Sequence, residues 1–268
     1  MKKDSYASKD GFDSEDRRKI EILWTGGWDS TYRIVELSRQ NVTIKPVYVI
    51  DSCRSSMNYE LTAMKKITKA LIDKSETKAE FMPLETIKVE DIPKDKEITN
   101  AYERIIESVK LGSQYDWLAR LAKTLYPGIE IGIEKPNGEY SGCKEAIEKF
   151  GKLIYDTDAY IIDRNSSSME CIQLFGNLRF PIIETTETEM QSNIFDWGQE
   201  EIMKSIWFCH SPIKGEICGY CRPCQQKMEC EMQWLLPQDA QRRYYTFKKI
   251  SVFSGKLAYK IMNFKYRK

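Results

Sequence analysis

The stretch that decides the fold is KIEILWTGGWDST, residues 19–31. An apolar run (Ile20, Ile22, Leu23, Trp24) stops at Thr25-Gly26-Gly27, and a helical pattern opens at Trp28-Asp29-Ser30-Thr31 and carries Tyr32, Ile34, Val35 and Leu37. Glycines have no Cβ, so backbone N–H groups there can approach an anion, and a helix N-terminus directly after them adds unpaired donors. Ser30 and Thr31 contribute hydroxyls. A carboxylate beside phosphates repels them unless a cation intervenes; with Mg²⁺ in place, Asp29 becomes a direct or water-mediated metal partner. The spacing lacks the Gly-Lys-Ser/Thr of a Walker loop and does not fit the dinucleotide fingerprint. The simpler alternative is a Gly-Gly turn with Asp29 as the helix N-cap.

Outward from this turn the pattern alternates. IKPVYVID (44–51) reads as a second strand, and the segment from Asn58 places Leu61, Met64, Ile67 and Leu71 on one helical stripe. EFMPLETIKVE (80–90) reads as a third strand. Residues 99–128 are helical in two pieces broken near Gly112, 129–135 read as a buried strand, and 141–155 and 185–206 read as helices, the last opening on Thr185-Thr186-Glu187 as cap and acidic first turn. Strands alternating with helices predict an α/β fold, a Rossmann-like parallel sheet with helices on both faces.

Composition sets the outer bounds. The net charge of +1 gives no overall attraction to nucleic acid or membrane. No stretch approaches the roughly 20 apolar residues of a membrane span, and the opening segment lacks the apolar core of a secretion signal, so a cytoplasmic location is expected. Eight cysteines are then unlike disulfide staples. Cys53, Cys143, Cys171 and Cys230 are scattered and suit buried thiols. The other four form CHSPIKGEICGYCRPC, residues 209–224, with spacers of eight, two and two residues between successive cysteines. Zinc takes four tetrahedral thiolate or imidazole ligands, which this spacing suits. A redox Cys-x-x-Cys or disulfides are the competing readings. His210 could replace Cys209 as fourth ligand; Cys209, Cys218, Cys221 and Cys224 are the favoured set, a structural site with all four positions filled.

The turn WTGGWDST resembles the Ser-Gly-Gly-x-Asp-Ser signature of the PP-loop ATP pyrophosphatases, with Thr25 for the usual serine. The resemblance implies ATP held by Thr25, Gly26, Gly27, Asp29, Ser30 and Thr31, its base near Val49 and Asp51, and cleavage to AMP and pyrophosphate. Paired with the cysteine array, the turn resembles 7-cyano-7-deazaguanine synthase and its relatives. Arg54 and Glu60 in VYVIDSCRSSMNYELTAMKKI match that family's block after the second strand, TTETEM and SIWFCHSP match its approach to zinc, and GSQYDWLARLAKTLYPGIEIGI is similar to the helix and strand lining its substrate pocket. The resemblance implies a ligase using ATP, Mg²⁺ and Zn²⁺, with Asp29, Ser30 and Arg54 as catalytic residues. It would adenylate a 7-deazaguanine carboxylate such as 7-carboxy-7-deazaguanine and join it to an amine. Three departures stand out: Ser113-Gln114 replace the family's Arg-Asn, Glu187 replaces a Lys, and no Asp-containing substrate segment follows the IGI strand.

The expected organisation is a flexible tail (1–18), an ATP-binding α/β domain (19–205), a four-cysteine zinc element (206–236) and a basic aromatic tail (237–268). From Arg242 onward the chain holds nine Lys/Arg and no Asp/Glu, interleaved with aromatics, which suits RNA stacking and phosphate contacts or docking on the domain or on an acidic partner. The expected partners are the small deazaguanine acid, ammonia or a protein amine as acceptor, a second copy in a homodimer, and a partner protein or RNA on the basic tail, with no membrane. Alternatives to the parent reaction are a relative from a bacterial antiviral-defence operon that joins the deazaguanine to a partner protein, a PP-loop tRNA-modifying enzyme, and a nucleotide- or RNA-binding module without catalysis.

Overall fold

The computed structural model describes residues 17–52, 54–136 and 142–266. Most of the expected N-terminal tail, together with Cys53, lies outside them. Among the described residues no helix is long and apolar enough to cross a membrane.

The chain begins β1 (Arg18–Leu23), α1 (Trp28–Ser38), β2 (Val42–Ile50), α2 (Met57–Ile72). The third expected strand is two short ones, β3 (Glu80–Phe81) and β4 (Glu85–Lys88), both on the same edge of β2. Pro83 lies between them and has no N–H for a ladder. Next come α3 (Lys96–Ile106), α4 (Gln114–Thr124), β5 (Ile129–Glu130), α5 (Gly142–Phe150), β6 (Leu153–Asp156), β7 (Ala159–Ile162), α6 (Met169–Phe175) and β8 (Leu178–Arg179). The expected helix over 141–155 therefore ends at Phe150, and its remainder enters an antiparallel hairpin, β6–β7. The expected strand over 129–135 keeps ladder geometry only at its first two residues.

All pairs in the main sheet are parallel, in the order β3/β4-β2-β1-β5-β8. Successive residues of β2 alternate between two cores. Val42, Ile44 and Tyr48 join the cluster with α1, α2 and the later helices, and Val47 and Val49 join the cluster with α3 to α6. That alternation is the signature of a strand covered on both faces. The order reverses at β1: β2 follows on one side and β5 arrives on the other. The crevice beyond the carboxyl ends of β1 and β5 is the topological switch point, where open α/β sheets bind ligands.

The last part packs against the first core. It comprises α7 (Glu187–Asp196), α8 (Glu200–Met203), α9 (Arg222–Glu229), α10 (Gln238–Ser251) and α11 (Gly255–Tyr266). The helix expected over 185–206 is thus two helices. Thr186 forms a capping box with Glu189 at the start of α7, and Gly198, at φ +62°, lies in the break. The basic stretch is docked: Tyr244, Phe247, Ala258 and Met262 are buried, and Arg243 donates to the backbone carbonyls of Ile217 and Cys218.

Candidate active site and metal centre

The switch point is occupied by the glycine turn. Gly26 has φ +67°, and a Cβ there would lie 3.1 Å from the Glu60 carbonyl. Both the left-handed conformation and the close backbone therefore require glycine. Gly27, not Asp29, is the N-cap of α1, and no side chain caps the helix. This corrects the capped-turn alternative: a Gly N-cap offers no oxygen to the first N–H groups, and they remain donors for an anion. Asp29 sits in the first turn. Ser30 is buried and bridges back to Thr25, its Oγ accepting from the Thr25 N–H at 3.3 Å and lying 3.2 Å from the Thr25 hydroxyl. Thr31 is fully buried and accepts from the Trp24 indole at 2.9 Å, so it braces the turn and offers no hydroxyl to a ligand.

The opposite lip is Gly132, just past β5. A Cβ on Gly132 would meet the Ser30 nitrogen at 2.8 Å and Asp29 at 3.1 Å, so only glycine lets this backbone close on the helix end. Thr25, Gly27, Asp29, Ser30, Arg54, Gln114, Trp117 and Gly132 are among the residues lining a cavity of about 200 Å³. A second cavity, of about 420 Å³, is walled by Val49, Asp51, Arg54, Ser113, Gln114, Trp117 and His210. Thr25, Gly27, Asp29, Ser30, Arg54, Val49 and Asp51 thus line two cavities that share Arg54, Gln114 and Trp117, whereas Gly26 and Thr31 line neither. Arg54 is partly exposed and anchored 3.1 Å from Glu60, whose buried carboxylate also accepts from Tyr48 at 2.8 Å and Ser56 at 2.7 Å. Tyr115 is buried against Phe175, so Trp117 is the better placed of the two aromatics to face a planar ring.

A third cavity, of about 180 Å³, continues from the turn toward the cysteine array. Asp29, Glu134 and Lys227 line it, with Trp28, Trp207 and His210. Lys227 is buried and paired with buried Glu187, and its Nζ stands 5.1 Å from the Trp28 ring centre. Burial lifts the Asp29 carboxyl well above the usual carboxylate range, with Lys227 pulling it down and Glu187 pushing it up. Burial also raises Glu134, helped by the neighbouring charges of Asp29 and Glu187. Asp29 and Glu134 share a hydrogen bond. Two touching carboxylates of this kind hold a proton or a cation between them.

The four cysteines converge as well. Cys209, Cys218, Cys221 and Cys224 are buried, and their sulfurs all lie within 4.8 Å of one another. Pairs stand at 3.3 Å and 3.9 Å, close to the ~3.8 Å edge of a tetrahedron with ~2.3 Å metal–sulfur bonds. Backbone N–H groups of Cys218, Tyr220 and Cys221 donate to sulfurs at 3.2–3.4 Å, which favours thiolates. Gly219, at φ +85°, passes so close to α10 that a Cβ would strike the Ala240 carbonyl. The array can hold a metal ion, and exposed His210 is not needed for it. The cysteine cluster is tied to the turn: Trp207 donates its backbone N–H to the Gly26 carbonyl at 2.8 Å and stacks on Tyr59 at 4.3 Å.

Trp28, Gly132, Glu134, Trp207 and Lys227 are functional candidates that sequence reading misses. Gly132 carried a local signal, a glycine inside an apolar strand, which marks close backbone approach. Glu134 and Lys227 carried none, since charged residues of their kind abound along the chain. No protein-family model matches the chain, and no curated protein matches it.

Proposed function

We propose that the protein is an AMP- and pyrophosphate-forming ligase that adenylates a 7-deazaguanine carboxylate, such as 7-carboxy-7-deazaguanine, and joins it to an amine. The observation that carries this reading is the uncapped N-terminus of α1, closed by Gly132 at the switch point of the sheet. Backbone donors fixed in that way suit a pyrophosphate leaving group. In this reading ATP lies with its phosphates over residues 25–31 and its base toward Val49 and Asp51. A carboxylate oxygen of the acid attacks the α-phosphorus, the bond to the β-phosphate breaks, and pyrophosphate leaves with the electron pair. The amine nitrogen then attacks the acyl carbon, the carbon–oxygen bond breaks, AMP leaves, and the amine gives up a proton.

The chain's own residues position and stabilise charge. The α1 N-terminus and Ser30 hold phosphate oxygens, Arg54 faces the cleft as a cation, and Trp117 gives the planar acid a surface to stack on. Mg²⁺, when bound, would neutralise charge on the phosphates, and Asp29 is the residue that fits it. Zn²⁺ fits the four cysteines by donor type and spacing, with the role of holding the 205–230 segment against the turn. Incubation with ATP, 7-carboxy-7-deazaguanine and ammonium chloride should yield AMP, pyrophosphate and an amide or nitrile whose mass identifies it. AMP production that ignores the acid would contradict the reading.

A second reading, transfer to a protein amine, is favoured by the outer face of α10 and α11. Val252, Phe253 and Phe264 are exposed there, among Lys249, Lys256 and Lys260. A partner with an acidic, apolar surface would dock on such a face.

A further inference from the structure

The cavity between the phosphate turn and the cysteine array is walled by charged groups in which carboxylates outnumber cations. Its charged surroundings are Asp29 from α1, Arg54 and Glu60 from the start of α2, Glu134 after β5, and Lys227 from α9 with Glu187 of α7 behind it. Arg54 is matched by Glu60 and Lys227 by Glu187. Asp29 and Glu134 share one hydrogen bond and only the field of Lys227, whose ion pair is made to Glu187. His210 and the thiol Cys230, which faces Glu187, complete the titratable set.

Two orphaned polar atoms show that this wall addresses something outside the protein. Glu134 Oε2 is buried and accepts no hydrogen bond. The Trp28 indole N–H is also buried and donates to nothing, on a side chain only 3% exposed. Buried polar groups are nearly always paired, and each exception calls for a partner. A lone acceptor on a proton-sharing carboxylate pair that keeps net negative charge asks for a ligand carrying a positively charged N–H donor, and the Trp28 indole N–H beside it reports on what enters.

A metal ion held by protein ligands alone is a poor match. Among the described residues, only the four cysteines bring three or more ligand atoms within 4.8 Å of one another, and Mg²⁺ at Asp29 would need the phosphates of a bound nucleotide to complete its shell. An ammonium group needs no such convergence, because its three N–H bonds diverge and an indole face attracts it. Lys227 already places one ammonium in this setting, 5.1 Å from the Trp28 ring centre. At about 180 Å³ the space equals a few water molecules, enough for a primary amine and a short alkyl stem but not for a nucleotide.

We propose that this cavity is the subsite for the attacking amine, which enters as an ammonium group held by Glu134 and Asp29 beside the Trp28 ring and gives one proton to that carboxylate pair before its nitrogen attacks the acyl carbon. The identity of the ligand as an acceptor rests on the ligase reading; its chemical class rests on the cavity alone. The subsite shares Trp28 and Asp29 with the turn that grips the phosphates, so an amine held there lies next to an acyl group activated on that turn.

Binding can be read without turnover. The Trp28 indole N–H signal, assigned with Trp28→Phe, is followed by ¹H–¹⁵N NMR while the unaltered protein is titrated with methylammonium chloride, against sodium chloride at equal ionic strength. A saturable shift with methylammonium only is expected, weakened about tenfold or more in Glu134→Gln, as for loss of a charged hydrogen-bond partner. Glu134→Asp, which keeps the charge on a shorter stem, should bind between the two. Equal shifts with both salts, or full binding by Glu134→Gln, would overturn the proposal. Comparing ammonium with n-butylammonium separates the sources: preference for ammonium means free ammonia, and preference for the alkyl form means the end of a larger amine. Failure of the ligase reading would appear elsewhere, as no acid-dependent pyrophosphate exchange, and would leave the methylammonium shift intact.

Discussion

The two walls of the cleft are built in opposite ways. The glycine-turn wall comes from one consecutive stretch, Trp24 to Thr31, folded as a strand end, a left-handed glycine and an uncapped helix. The facing wall is gathered from Glu134, Glu187, Trp207 and Lys227, far apart in the chain and joined by a buried ion pair and the cysteine array. The first wall is a local conformation that glycines specify. The second is a tertiary assembly that exists only while its supports hold. Perturbations should therefore separate them.

The largest effect is expected from the cysteine array. If it holds a metal ion as proposed, Cys221→Ser, or a strong chelator, should release that ion and remove cooperative unfolding from the segment after Ser205, since metal binding to such arrays is folding free energy. Metal content and thermal unfolding measure it. Loss of metal with an unchanged transition would show that the facing wall does not depend on the array. Next is the support beneath the turn. Arg33 of α1 is buried and forked onto buried Glu130 of β5 at 2.8 Å and 2.9 Å, and it also meets Glu36 and Asp158. Glu130→Gln should cost about 3–5 kcal/mol of stability, because it strips a buried cation of its main partner. Denaturant unfolding checks this.

Smaller and more local is Gly132→Ala. Its methyl must displace the start of α1, at about 1–3 kcal/mol for overpacking, and nucleotide affinity should fall while the bound metal is retained. Metal loss in this variant would erase the distinction between the walls.

The smallest effect concerns acid. Asp29 and Glu134 have folded pKa values raised above their unfolded ones, to about 6 and about 8, so the folded chain binds more protons than the unfolded chain in that range. Their contribution to stability is full below the ordinary carboxylate range and is lost as pH rises through these values. The unfolding midpoint of nucleotide-free protein should thus rise as pH falls from about 8 to about 6, and Glu134→Gln should flatten the rise. His210 and Cys230 are the other facing groups to control by substitution. A midpoint that rises with pH would contradict the shared-proton arrangement.

The contrast between the walls also explains what could be read from the chain. The alternating strands and helices, the glycine turn and the cysteine spacing are local patterns, and the sheet, the turn and the sulfur cluster follow them. Pro83 splitting the third strand was visible as a residue but not as a consequence, because edge pairing depends on β2. The first strand of the 153–162 hairpin was hidden in the end of an amphipathic helix pattern that ran to residue 155. Glu134 and Lys227 could not be singled out, since a Glu after a short strand or a Lys three residues past a cysteine has no sequence mark that it will be buried opposite its partner. Glu187 stood out as an acidic first-turn residue and as a departure from a resembling family, and its buried pairing with Lys227 gives that departure a physical setting.

The central claim, that the glycine turn serves acid activation by ATP, is tested most directly by pyrophosphate exchange. Labelled pyrophosphate should enter ATP only when 7-carboxy-7-deazaguanine and Mg²⁺ are present, and Asp29→Ala should slow the exchange by about 10²–10³-fold, the scale for losing one electrostatic stabiliser in an active site. Exchange without the acid, or undiminished exchange by Asp29→Ala, would contradict the account.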